Sequence, residues 1–324
     1  MGMDGKSGWP ALRLRDWQDT CDTLHMYTQI VGKIRLALAP MMNEWWQVPL
    51  YVTARGLTTS PIPYKGRVFQ LDFDLFDHQL IVLTGEGETR RIGLGASVKD
   101  FYREVFSTLR DLRIDVEIWP TPVEVVRPIP FEHDTVHRTY DREQAHRFFE
   151  VLTRVDTVLK KFRSGFVGKA SPVHFFWGTF DLTASRYSGR PAKPPASDLI
   201  TRVAYDQEVS SVGFWPGGES PFGPTVDDAA FFSYFAPQPH GLAAAAVRPE
   251  AAYFHGGLRE HLLMYEDVRS AEDPDAAVLA FGRSVYEAGS RLAGWPELRA
   301  PWEKEEEGAG EASAAPTEHE AHPG

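Results

Sequence analysis

The sequence predicts an α+β fold of mostly antiparallel sheets with flanking helices, set out as two pseudo-repeated helix–strands–helix halves packed as one unit. Apolar residues recur at three- and four-residue intervals in the segments that open and close each half. Between them lie short runs with the two-residue alternation of strands, bounded by Gly and Pro. A third observation relates the halves. Val48–Ser60 (VPLYVTARGLTTS) aligns without gaps to Val173–Ser185 (VHFFWGTFDLTAS), with Val, Leu, Thr and Ser matching. Either the match marks an old duplication or it reflects the shared vocabulary of strand-forming residues.

The first helix is read over 17–38, where Trp17, Cys21, Leu24, Thr28, Val31 and Leu38 share a face and Pro40 closes the run. Val48–Thr59 reads as one extended segment, followed by the turn chemistry of Ser60-Pro61-Ile62-Pro63 and Lys65-Gly66. Val68–Phe76 alternates as a half-buried strand, and His78–Leu83 and Thr89–Leu94 continue the sheet. Ser97 and Asp100 form a capping-box pattern ahead of Phe101, Val105, Leu109 and Leu112. Val116–Trp119 reads as a short strand. Asp141 caps a second long helix with Phe148, Leu152, Val155, Leu159 and Phe162 on its apolar face. Val173–Ser185 is a long extended segment, with further strands near Val203–Phe214, Ala230–Phe235 and His261–Tyr265. Asp273-Pro274 opens a final helix, Pro sitting where its missing N–H costs nothing, and Gly294 ends it. The expected units are a first half over 9–119, a Pro-rich connector over 120–140, a second half over 141–300 and an acidic tail over 301–324. The tail's Glu/Ala/Gly/Pro composition predicts disorder.

Composition narrows the function classes. The chain has 324 residues, 43% of them hydrophobic, and a net charge of −11. From Glu303 onward, glutamates outnumber the single Lys304, so much of that charge is in the tail and the body is mildly acidic. Such a surface repels phosphate backbones and disfavours nucleic acid as a partner. No apolar run reaches the roughly 18 residues needed to span a bilayer. The single Cys21 leaves no disulfide framework and no multi-cysteine metal site, and Met1–Gly8 lacks the apolar core of a signal peptide. The expected compartment is the cytoplasm.

Several polar residues stand in telling positions. His25, Gln29 and Lys33 fall at i, i+4 and i+8 of the first helix and so share a face. Either the stripe faces a cleft, with Lys33 on an anionic group and His25 moving a proton, or it is a solvated helix face. His174 and Asp181 lie among Phe175, Phe176, Trp177 and Phe180. A buried aspartate needs a partner, and Arg186 and Arg190 follow closely. Either Asp181–Arg186 is a structural ion pair beside a core histidine, or the arginines clamp a carboxylate or phosphate. Glu208 precedes the Trp215-Pro216-Gly217-Gly218 loop, whose indole is suited either to stacking a flat ligand or to anchoring the loop; Trp45-Trp46 poses the same choice. His25, His78, His174, Asp181 and Glu208 are metal-ligand types, yet none forms a local ligand motif, and Asp72–Asp74–Asp77–His78 lacks the Gly and terminal Glu of a calcium loop. Gly85-x-Gly87 and Gly93-x-Gly95 complete no nucleotide fingerprint, and no Gly-x-Ser-x-Gly elbow is present. The sequence therefore assigns no metal, no cofactor and no oligomeric state.

The strings Leu24-His25, Gln29-Ile30-Val31-Gly32-Lys33, Trp45-Trp46, Val48 to Tyr64, Ser171 to Arg190 and Glu208 to Gly217 together closely resemble a bacterial family catalogued as domain of unknown function 5996. The likeness runs from Trp9 to about Trp295; it implies one family-wide unit and no activity. The expectation from the residues is a cytoplasmic protein that binds, and as an enzyme acts on, a small anionic or aromatic molecule in a cleft between the halves. His174, His25, Asp181 and Glu208 are the catalytic candidates, with Lys33, Gln29, Arg186, Arg190, Trp46, Trp177 and Trp215 against the ligand. The alternative is a non-catalytic protein–protein module with the tryptophans as interface anchors.

Overall fold

Capping signals and apolar spacing place the helices close to their expected positions in a computed structural model, which describes residues 8–298 and 300. Helix α1 spans Leu14–Leu38 and is buried around most of its girth from Thr20 to Arg35. The expected single apolar face is thus an all-round burial, which obliges its polar residues to find partners. Helix α2 (Val98–Asp111) is capped by Ser97, whose hydroxyl accepts from the Asp100 amide at 3.1 Å. Helix α3 (Arg142–Ser164) is capped by Asp141, accepting from the Gln144 amide at 3.0 Å.

Between α1 and α2 lies a six-stranded antiparallel sheet made of β1 (Tyr51–Val52), β2 (Gly56–Thr58), β3 (Ile62–Tyr64), β4 (Arg67–Asp74), β5 (Gln79–Thr84) and β6 (Thr89–Gly93). Its order is β1-β2-β4-β5-β6, with β3 paired to β4. Leu71, Phe73, Leu80, Val82 and Ile92 fill the face toward the helices, as the alternation in β4 requires.

The second half follows α3 with β7 (His174–Phe176), β8 (Asp181–Pro191), the short helix α4 (Leu199–Ala204), β9 (Gln207–Trp215), the hairpin β10 (Gly218–Ser220) and β11 (Gly223–Val226), β12 (Ala230–Ala236), β13 (Tyr253–His255) and β14 (Glu260–Met264). Its six-stranded sheet runs β7-β8-β9-β12-β14-β13, all antiparallel. Helices α5 (Tyr265–Ser270) and α6 (Pro274–Leu292) close the chain, with Asp273 capping α6 through the Ala276 amide at 2.9 Å.

The two sheets meet at one point. Leu50 and Phe175 exchange both backbone hydrogen bonds at 2.9 Å, joining the β1 edge to the β7 edge. A continuous apolar core, from Leu24 and Phe73 to Phe214 and Phe281, runs through both halves. Trp17 packs on Phe148 at 4.9 Å between ring centroids, and Phe148 stacks on Phe180 at 5.3 Å, tying α1, α3 and the β7–β8 turn.

Several expectations are corrected. Val48–Thr59 and Val173–Ser185 are hairpins rather than single extended segments, with turns at 53–55 and 177–180. Residues 116–119 form no strand; the Trp119 carbonyl accepts from Lys33 of α1 instead. The strand expected from Val203 begins at Gln207, because α4 occupies the preceding residues. The acidic tail over 301–324 lies outside the described residues.

Candidate functional site

Strand alternation gives the second sheet two faces of different character. Leu182, Ala184, Arg186, Val212, Phe214, Phe231 and Leu263 point toward the helices, and the intervening residues point away. That far face is the floor of a partly open cavity of about 1840 Å³. Connector residues Val123–Arg127, the segment carrying α4 and the β10–β11 hairpin wall it. Ordinary small-molecule sites measure roughly 300–1,000 Å³, so there is room for an extended ligand.

Of the acidic residues that line this space, Glu124, Asp181 and Glu260 interact across it. Asp181, 8% exposed, accepts hydrogen bonds from the Thr179 and Thr183 hydroxyls, and burial lifts its pKa to about 6. Burial, then the neighbouring Asp181, lifts Glu124 to about 7 and does the same to Glu260. Glu124 presses against Gly178, where a methyl group would overlap its carboxylate. The Tyr205 and Tyr234 hydroxyls lie 3.3 Å apart, and burial pushes the Tyr234 phenol well up. Ser185 and Ser211 hydroxyls, 2.8 Å apart, complete a polar strip on the floor. The arginines and lysine lining the cavity, Arg127, Lys193 and Arg259, are all exposed, and the lining His137 pairs with Asp134 at 2.6 Å.

The helical stripe holds protein backbone. Gln29, fully buried, donates to the Val123 carbonyl at 2.7 Å and accepts from the Val123 amide at 3.0 Å. Lys33 donates to the carbonyls of Thr121 at 2.7 Å and Trp119 at 3.2 Å. His25 Nε2 lies 2.9 Å from the Gly178 carbonyl and 3.1 Å from that of Trp177. The stripe is neither a solvated face nor an anion seat: Gln29 and Lys33 moor the connector across α1 and so place Glu124, and His25 holds the β7–β8 turn. Burial lowers the His25 pKa to about 4.

Alternation also separates the expected arginine clamp from the cavity. Residues 181 and 186 lie on opposite faces of β8, so no Asp181–Arg186 pair forms. The Arg186 guanidinium instead lies 3.7 Å from the Phe162 ring centroid and donates to the Phe162 carbonyl. Arg190 pairs with Glu208 at 2.7 Å and donates to the Ala293 carbonyl at 2.7 Å, at the end of α6. Lys33, Gln29, Arg186, Arg190 and Glu208 are thus away from the cavity wall, whereas His25, Trp46, His174, Trp177, Asp181 and Trp215 line it. Trp177 is also a core anchor, its indole donating to the Val48 carbonyl at 2.9 Å against Gly32. Trp46 meets His174 edge-on at 6.0 Å. His174 is 1% exposed, and burial lowers its pKa to about 3. Sequence reasoning missed Glu124, Glu260, Tyr205 and Tyr234. Glu124 left a signal, a lone acid in the apolar run Val123–Val126 between prolines.

Among the described residues no three His, Cys, Asp or Glu side chains converge closely enough to hold one metal ion. A protein-family model described as a family of unknown function (DUF5996) matches residues 9–300. No curated protein and no solved structure matches the chain.

Proposed function

The chain belongs to the DUF5996 family, and from the cavity it carries we propose that it binds a small molecule on the far face of its second sheet. The observation that carries this reading is the union, in one concavity, of aromatic rings with three carboxyl groups, Glu124, Asp181 and Glu260, that form no ion pair among the described residues. The net charge of −11 favours a small molecule over nucleic acid. The lone buried Cys21 fits a cytoplasmic protein, and no helix among the described residues is long and apolar enough to cross a membrane. If the bound molecule is also transformed, the acid/base work falls to Glu124 and Glu260. Their pKa values near 7 suit proton transfer at neutral pH, whereas His25 and His174 are neutral there.

We further infer that the halves over 9–119 and 141–300, joined by the connector over 120–140, descend from a duplication. Each sheet contains a five-strand antiparallel path, β1-β2-β4-β5-β6 and β7-β8-β9-β12-β14, to which the first adds β3 beside β4 and the second adds β13 beyond β14. Leu50 and Phe175, equivalent in the ungapped match, pair with each other, as residues beside a two-fold axis do.

Native mass spectrometry of the protein taken from cells tests the binding reading, with Ser185→Trp filling the floor. Extra mass on the parent that the folded variant lacks is the expected result. A bare parent that also stays bare across a panel of amines, sugars and carboxylic acids would sink it.

A further inference from the structure

We propose that the cavity takes an organic polyamine, its ammonium groups seated among Glu124, Asp181 and Glu260 and its methylene chain along Phe232 and Trp215. This inference deepens the small-molecule reading above and rests on it.

The first support is unbalanced charge. Asp181 acts on Glu124 and on Glu260 across the cavity, and all three act on the Tyr205 phenol, so the groups that meet there are acidic. Arg259, beside Glu260 in sequence, is exposed and turns to Gln238 at 3.3 Å. His261 lies on the opposite face of its strand. Carboxylates taken out of water without a counter-charge are costly, and the bound proton that offsets the cost is exchangeable for a better cation. A single metal ion is a poor occupant, since these carboxyls do not converge on one point. The cation that fits has its positive charges spread along a chain.

The second support is independent of the acids. His174 Nε2 has no hydrogen-bond partner among the described residues, although the side chain is 1% exposed. Its position in β7 is directly opposite Thr183, whose hydroxyl donates to Asp181, so His174 and Asp181 share the cavity face as diagonal neighbours. His174 belongs to the cavity wall, and its unpaired ring nitrogen, buried beneath that wall, suits a polar group of a ligand that seats beside Asp181. The third support is the ring surface. Phe232 lies across Gly213, where any side chain would collide with it, and it stacks on Tyr234 at 6.3 Å with 13° between planes. Ring faces beside carboxylates attract ammonium groups and cover methylenes. A neutral polyol would leave the carboxylates unbalanced, and an anion would be repelled.

Isothermal titration calorimetry with spermidine, citrate and glucose tests the proposal on the full chain, on Glu260→Gln, on Asp181→Asn and on Ser185→Trp. Spermidine is expected to bind one per chain and release protons, tightening about tenfold or more between about pH 6 and pH 8. Each neutralising variant should weaken it about tenfold or more, and Ser185→Trp should abolish it. Should Asp181→Asn fail to fold, the half-buried, isosteric Glu260→Gln decides. Spermidine binding that survives in Ser185→Trp would mean association with the acidic surface and overturns the proposal. If citrate or glucose binds and spermidine does not, with the signal lost in Ser185→Trp, the polyamine assignment falls and the cavity reading stands. If no probe binds and the protein leaves cells bare, both fall.

Discussion

Gly178 lines the cavity and Gly213 lies beneath the Phe232 ring of its floor, and the same substitution should affect them differently. A methyl at 178 meets only the far end of the Glu124 side chain, which can swing aside. A methyl at 213 meets Thr183 Oγ1 at 2.6 Å and the Leu182 carbonyl oxygen at 2.7 Å, inside a sheet that cannot yield. Gly178→Ala is therefore expected to fold with a loss below ~1 kcal/mol while displacing Glu124, and Gly213→Ala to lose ~2–3 kcal/mol. Urea denaturation of both variants checks this; equal losses would show that Glu124 is held rigidly. Acidity belongs to this scale as well. Glu260, facing Asp181, Tyr205 and Tyr234, has a folded pKa near 7, above its ordinary value. The folded state thus holds a proton that the unfolded state releases, and stability declines as pH rises through about 4.5 to 7. Glu260→Gln should be ~1–3 kcal/mol more stable than the parent at pH 8 and equal to it near pH 4, as thermal melts across pH would show. None of this pairing was legible beforehand. Glu124 and Glu260 are 136 positions apart in sequence, and no spacing rule links a connector residue to a strand terminus.

Helices announced themselves in the sequence and hairpins did not. Ser97, Asp141 and Asp273 cap through side chains, a local interaction that the residue order alone specifies. The β1–β2 and β7–β8 turns lack the Asn-Gly or Asp-Gly pairs that mark tight hairpins; the second turns instead through Phe180 with φ 62°. Helix α4 is too short for a periodic signal to emerge. The stripe on α1 was visible as a pattern, but its partners were not, because backbone carbonyls leave no trace in composition. Gln29 is the keystone of that contact. Gln29→Ala orphans both polar groups of Val123 and should cost ~2–3 kcal/mol, with amide exchange accelerating across residues 120–125. Exchange unchanged from the parent would show that the connector is held by other contacts.

At the scale of the whole molecule, one apolar core serves both sheets, and backbone hydrogen bonds between Leu50 and Phe175 join their edges. Unfolding is therefore expected as a single transition, with circular dichroism, tryptophan fluorescence and calorimetry coinciding. Two resolved transitions would mean that the halves are energetically separate. The family-wide extent of the unit was readable from the sequence, as was its α+β class. The cavity was not, because it depends on which sheet face the connector and α4 cover. That connector has a bearing on how the protein is made. The Gln29–Val123 contact closes a span of 94 residues, and Glu124 reaches its place only once that closure is complete. The receptacle is thus walled by contacts between residues far apart in the chain. A tight ligand supplied during expression would then act as a chemical chaperone, rescuing the yield of weakened variants through mass action.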